Sequence, residues 1–186
     1  MRRVAVFIDG LNVRFRLQEC RWCEFYDVAH LARQLAGPRQ LIAVLFYHPQ
    51  PSREQLGERK YADERAYLGR IRRQEGVTAP SGAYMAKRER WVDGKKVQIW
   101  QEKQTDVLLA SDLLYMAAKG MMDVTVVASA DADIVPAIRR CGDLGVPVEL
   151  LRFRGAMPRL YELEQVATRF LRARPAYFRP YNAGAE

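Results

Sequence analysis

The stretch Val4-Ala5-Val6-Phe7-Ile8-Asp9-Gly10 decides how the chain is read. Its apolar part does not alternate with polar residues and is rich in β-branched side chains. A strand of that kind is buried on both faces, as strands of parallel sheets are. Asp9-Gly10 then marks a turn at the strand's carboxyl end. Working outward, Leu41–Tyr47 reads as a second buried strand, and Val124–Ala128 and Val146–Leu151 as two more. Helical patterns fall between them. Asp27 can cap a short helix carrying Val28, Leu31 and Leu35, stopped by Gly37-Pro38. Ser52 and Gln55 have capping-box spacing and open a long polar helix that ends before Gly76. Its Arg53, Arg59, Lys60, Arg65, Arg70, Arg72 and Arg73 read mostly as a solvated face laced with Glu pairs, and its Tyr61 and Tyr67 as packing residues. Further helices are expected over Thr105–Lys119, closed by Gly120, over Ile134–Leu144 and over Pro158–Leu171.

Strands alternating with helices predict an α/β fold, a three-layer α/β/α sandwich with a mainly parallel central sheet. Val77 begins another extended stretch. Between Tyr84 and Gln101 an inserted β-hairpin is expected, turning at Asp93-Gly94, the dipeptide that tight two-residue turns favour. One domain over residues 1–174 and a loose tail over 175–186 are expected, with no internal repeat and no interdomain linker.

The bulk composition narrows the classes of function. The 186 residues are 49% apolar and 28% charged, a globular composition rather than a disordered one. No apolar run reaches the roughly 18 residues that cross a bilayer. Arg2 and Arg3 are followed by too short an apolar stretch for a signal peptide, so the chain is read as cytoplasmic with no membrane partner. The net charge of +8, from 30 Lys+Arg against 22 Asp+Glu, makes a polyanion such as nucleic acid the first partner to consider. Cys20 and Cys23 form C-x-x-C. Zinc would need a second ligand pair, which Cys141, His30 and His48 do not make, and no obvious strand precedes the motif as in redox folds. Free thiols in a reducing compartment are the favoured reading.

The acids sit where chemistry is expected. Asp9 follows the first strand, Asp131 and Asp133 follow Val124–Ala128, and Asp106 opens the Thr105 helix. Strand-end acids of a parallel sheet can converge at one edge. Carboxylates held close repel one another unless a cation neutralises them, and hard oxygen donors select magnesium or manganese. Such an ion supports phosphoryl chemistry without a nucleophilic side chain or a histidine base, which suits a chain with two histidines. Against this stands the ordinary role of Asp at turns and helix starts, where Asp133 can simply cap the helix at Ile134.

Three motifs in order resemble a known family. Phe7-Ile8-Asp9-Gly10-Leu11-Asn12 is similar to the F-I-D-G-x-N opening of NYN domains, a branch of the PIN-like nucleases. Lys103-Gln104-Thr105-Asp106 followed by Asp112 is similar to that family's K-G-x-D-x5-D helix. Ser129-Ala130-Asp131-Ala132-Asp133 is similar to its S-G-D-x-D-F strand end, and Gly145 with Val146–Leu151 to the G-x-x-V strand that follows. The LabA-like group matches best, over roughly residues 3–171. The resemblance implies a PIN-like α/β fold, bound Mg2+ or Mn2+ and ribonuclease activity. It implies Asp9, Asp106, Asp131 and Asp133 as metal ligands. Asn12 would orient a water, a carboxylate or a phosphate, and Ser129 would hydrogen-bond within the acidic site. Asp112, roughly 120° around the helix from Asp106, would support from behind. Ala130, Ile134 and Gln104 depart from the family's Gly, Phe and Gly. Ala130 in particular would not easily take a positive φ.

Single-stranded RNA is the expected substrate, with DNA and a homo-oligomer left open. Lys87, Arg88, Arg90, Lys95, Lys96 and Lys103 interleave with Trp91 and Trp100 along the hairpin. Cations that hold phosphates and rings that stack on bases suit a single strand. The competing reading makes these a solubilising hairpin with tryptophans in the core. Arg14 and Arg16 form a second set of phosphate contacts, or a solvated loop. Two other enzyme classes fail on sequence. A haloacid-dehalogenase phosphatase needs an acid where Leu11 stands, and a dinucleotide enzyme needs G-x-G-x-x-G, which the chain lacks. The rival from another class is a nucleic-acid- or protein-binding module on the same fold.

Overall fold

The computed structural model describes residues 1–80, 82–154 and 160–180. Strand β1 (Arg3–Asp9) lies at the centre of a six-stranded sheet and leads directly into helix α1 (Gly10–Cys20). Helix α2 (Val28–Ala36), strand β2 (Gln40–Tyr47), helix α3 (Arg53–Ile71) and the short strand β3 (Val77–Thr78) follow. The inserted hairpin is β4 (Tyr84–Val92) and β5 (Lys95–Lys103), a separate two-stranded sheet. Then come α4 (Thr105–Ala118), β6 (Val124–Ala128), α5 (Val135–Asp143), β7 (Val148–Arg152), α6 (Leu160–Glu164) and β8 (Arg169–Arg172). The large sheet runs β3-β2-β1-β6-β7-β8, and every pairing in it is parallel.

Alternation along β1 explains the three layers. Val4, Val6 and Ile8 pack on the side covered by α1, α2 and α3, while Ala5 and Phe7 pack on the side covered by α4 and α5. All five are fully buried. Burying each of the larger side chains is worth about 1.5–3 kcal/mol, so the centre of the sheet is its most firmly held part. The chain proceeds from β1 outward to β2 and β3, then returns on β1's other side as β6. The strand order therefore reverses between β1 and β6, and ligands of open α/β sheets bind at such a point. The register that pairs Ile8 with Ala128 brings Asp9 alongside Ser129.

Several sequence expectations are corrected. Asp9-Gly10 is not only a turn. Asp9 caps α1, its Oδ1 accepting from the Asn12 amide at 3.0 Å. Gly10 is required there, because a Cβ would stand 2.6 Å from Phe46 Cζ and 2.9 Å from the Tyr47 carbonyl oxygen. The helix expected over Pro158–Leu171 shrinks to α6, and Arg169–Leu171 instead joins β7 as an edge strand; Pro158 lies outside the described residues. The tail expected from 175 is packed as far as Pro180. Phe178 is buried against Trp22 and Phe153, and Pro180 bridges to Tyr26. The long helix α3 is broken at Gly57, where φ is 74° and ψ is 168°. The hairpin turn forms as expected, with positive φ at both Asp93 and Gly94. No helix among the described residues is long and apolar enough to cross a membrane.

Candidate active site

Three chain segments meet at the carboxyl ends of β1 and β6. Ser129, buried just past β6, ties two of them together. Its hydroxyl donates to Asp9 Oδ2 at 3.0 Å and accepts from the Asp131 amide at 3.1 Å. Asn12 on α1 closes the same gap from the other side, its Oδ1 accepting from the Ala130 amide at 3.0 Å. Asp131 then caps the 3-10 turn Ala132–Ile134, its Oδ1 accepting from the Asp133 amide at 3.0 Å. The cap is thus Asp131, not Asp133, and no side chain caps α5. The third segment is the first turn of α4, which carries Asp106 at the positive end of the helix dipole.

Asp106, Asp131 and Asp133 each offer a carboxylate oxygen within 4.8 Å of the other two. Asp9 stands beside this group but outside that radius, 4% exposed. Burial pushes the Asp9 carboxyl up to about 7, with Glu102 and Asp106 adding repulsion and the bonds from Asn12 and Ser129 pulling it back. Burial together with Asp131, Glu102 and Asp133 pushes Asp106 up to about 6. Neither Asp106 nor Asp131 pairs with a Lys or Arg among the described residues.

Glu102, at the end of β5, is an acid that sequence reasoning missed. Burial raises its pKa, with the Asp131 charge adding to the rise and His48 opposing it. Its Oε1 and the Thr105 Oγ1 are buried without a hydrogen-bond partner among the described residues. The signal was available in strand alternation, since Glu102 lies on the same hairpin face as Trp100 and next to the Lys103 motif. Asp112 does not join the cluster. It accepts from the Tyr47 hydroxyl at 2.9 Å and so fastens α4 to the end of β2.

The expected phosphate contacts divide into engaged and unengaged cations. Arg14 is locked between Glu64 at 2.6 Å and Glu24 at 2.5 Å, beneath the Phe25 ring. Glu64 is itself buried, and His48 Nε2 stands 3.1 Å from its Oε1. Arg16 pairs with Glu19, Lys87 with Glu54 and Lys96 with Glu89. Arg88, Arg90, Lys95 and Lys103 have no ion-pair partner among the described residues. Trp91 is 69% exposed and is no core residue, and Trp100 is half-buried. The three cysteines are free thiols.

Of the family departures, Ala130 does not take a positive φ, so its Cβ costs nothing there. Gln104 does, at 74°, immediately before α4.

A parallel α/β sandwich with carboxylates gathered at its switch point has the layout of the PIN-like nucleases. The NYN domain model matches residues 3–174, and the chain belongs to that family. Among solved structures, a protein of unknown function from Vibrio parahaemolyticus RIMD 2210633 is similar over 95% of this chain and 96% of its own, with a TM-score of 0.65 at 17% identity. That likeness concerns the fold alone. A candidate oxidoreductase from Parabacteroides merdae ATCC 43184 shares 14% identity over 91% of this chain and 31% of its own, and its TM-score of 0.38 carries no inference. No curated protein sequence matches the chain.

Proposed function

We propose that this protein is a divalent-metal-dependent nuclease that hydrolyses phosphodiester bonds in single-stranded RNA. The observation that carries the reading is the convergence of Asp106, Asp131 and Asp133 within 4.8 Å. Their all-oxygen donor set, and the protons that burial and mutual repulsion push onto Asp9 and Asp106, fit a hard dication such as Mg2+ or Mn2+. When bound, such an ion supplies Lewis-acid polarisation of the phosphate and a more acidic water.

The chain's own residues do the positioning. Asp106, Asp131 and Asp133 would hold the ion, and Asp9 would add the fourth carboxylate from behind. Ser129 and Asn12 fix the Asp131 loop against β1 and α1, so the ligands are preorganised on the stiffest part of the sheet. Lys103, half-buried and next to Glu102 in the chain, would contact a phosphate oxygen. The unengaged Arg88, Arg90 and Lys95 give the hairpin its attraction for a polyanion.

The test is cleavage of labelled single-stranded RNA and of the same sequence as DNA, with Mn2+, Mg2+ or EDTA. Asp9→Asn and Asp131→Asn serve as near-isosteric losses of one charge. Cleavage of the RNA that needs the ion and falls at least about 100-fold in both variants supports the reading. RNA bound but left intact by all three proteins assigns the fold to a binding module instead.

A further inference from the structure

A cleft of about 680 Å³ opens beside the acidic centre, between α1, the first half of α3 and the hairpin. Pockets that hold small ligands span roughly 300–1,000 Å³, so this one has room for a nucleoside. Its apolar lining includes Phe15 on α1, Leu56 on α3, and Met85 and Trp100 on the hairpin, with Phe25 between elements. Phe15 is 64% exposed. At the rim stand Arg59 and Lys60, both exposed and without a charge partner among the described residues. At the inner end the wall is Glu102, whose charge is felt by Asp9 and Asp106.

The hairpin register extends this cleft outward. Lys87 faces Trp100 and Trp91 faces Lys96 across the two strands, so both tryptophans project to the same side as Glu102. Lys96 lies four residues before Trp100 on β5, so the Trp91 pair sits about 14 Å further from the acids at about 3.4 Å per residue. Arg88 and Arg90 fall on the opposite face.

Resting on the nuclease reading above, we propose that this cleft receives one unpaired nucleobase of the substrate strand, next to the phosphate that is cut. Trp100 stacks on the base, Arg59 and Lys60 hold the backbone at the rim, and Trp91 offers an outer stacking position. Base–aromatic stacking accepts any base, so the subsite selects single strands without selecting sequence. A base held in a duplex cannot reach it, because its faces are already stacked and its edges already paired.

The experiment uses the Asp131→Asn protein with Mg2+ and a fluorescein-labelled ten-nucleotide RNA, read by anisotropy. The strand is tested alone and annealed to its complement. The expected result is tighter binding of the single strand by at least about tenfold. Adding Trp100→Ala is expected to weaken it by about tenfold, the usual size of one stacked base. Because Trp100→Ala could disturb the hairpin, the surface pair Arg59→Glu/Lys60→Glu is measured beside it and is expected to weaken binding and flatten its salt dependence. In a Trp91→Phe background, quenching of tryptophan fluorescence by the strand, lost on Trp100→Ala, reports the stack directly. Equal binding of duplex and single strand, or full affinity in both the Trp100 and the Arg59/Lys60 variants, overturns the inference. Cleavage by the unmodified protein is followed in parallel. RNA cut normally while the cleft variants bind normally removes the subsite and keeps the nuclease. Cleft-dependent binding without cleavage does the reverse.

Discussion

Asp9→Asn should make the metal-free protein more stable, not less. Asp9 is 4% exposed, and its folded carboxyl titrates at about 7 against 3.8 when free. The sign follows from proton counts. Between pH 4 and 7 the folded state holds a proton that the unfolded state has released, so stability falls as pH rises through that window. At about 1.4 kcal/mol per pH unit the buried charge costs about 4 kcal/mol above pH 7. Asparagine keeps the shape and avoids the charge. It keeps an acceptor for the Asn12 amide but no longer accepts from the Ser129 hydroxyl in the same way, a loss of about 1–2 kcal/mol. The net gain at pH 8 is about 2 kcal/mol, which at 2–4 °C per kcal/mol raises Tm by about 4–8 °C for a chain of this size.

The assay is a set of thermal melts in EDTA from pH 5 to 8.5. The native protein should lose stability with rising pH, with Asp106 adding a smaller contribution because it is half exposed to solvent. The two proteins should converge near pH 5, where Asp9 is protonated in the folded state. With millimolar Mn2+ the order should reverse, since an ion that binds only the folded acids stabilises by mass action. An Asp9→Asn protein less stable than the native one at pH 8 in EDTA would refute the claim that Asp9 is held against its charge.

Three further substitutions test the scaffold. Gln104→Gly should raise stability by about 1 kcal/mol in urea unfolding, because Gln104 holds a left-handed backbone that costs a side chain about 1–2 kcal/mol. Arg14→Ala leaves the buried Glu64 without its guanidinium at 2.6 Å and should cost about 3–5 kcal/mol, read as a lower denaturation midpoint. Gly10→Ala drives a Cβ against Phe46 and the Tyr47 carbonyl and should cost about 1–3 kcal/mol, with a weaker Mn2+-induced rise in Tm because Asp9 is pushed aside.

What could be read from sequence follows from how locally each feature is encoded. The central strands were legible because burial on both faces leaves an unbroken apolar run. Helix α1 was not, because only Val13 and Leu17 of its interior residues reach the core among charged neighbours. Strand β8 reads as helix in the sequence because Arg169-Phe170-Leu171-Arg172 lies at the sheet edge, where charged flanks are tolerated and period-2 alternation is lost. Asp9, Asp106, Asp131 and Asp133 could be picked out by their positions at strand and helix ends. Glu102 shows in the sequence only as a strand-face position on the hairpin, and the packing of that hairpin is what brings it to them. The role of Asp112 was also invisible, because its partner Tyr47 is 65 residues away.

The strained residue and the missed acid belong to one piece of design. Only Lys103, Gln104 and Thr105 separate Glu102 from Asp106, so the hairpin and the acidic centre share a junction three residues long. A left-handed residue in that junction, Gln104 at φ 74°, carries the chain from β5 into α4. The hairpin's direction is therefore set by the same backbone that positions Asp106. On the proposed reading, a strand stacked on the Trp100 face would reach the carboxylates through that junction. By the same reasoning, relaxing Gln104 to glycine should stabilise the fold while loosening the register between hairpin and acids. Catalytic efficiency on single-stranded RNA should then fall even as the denaturation midpoint rises. A variant that gained both stability and activity would separate the strain from the function.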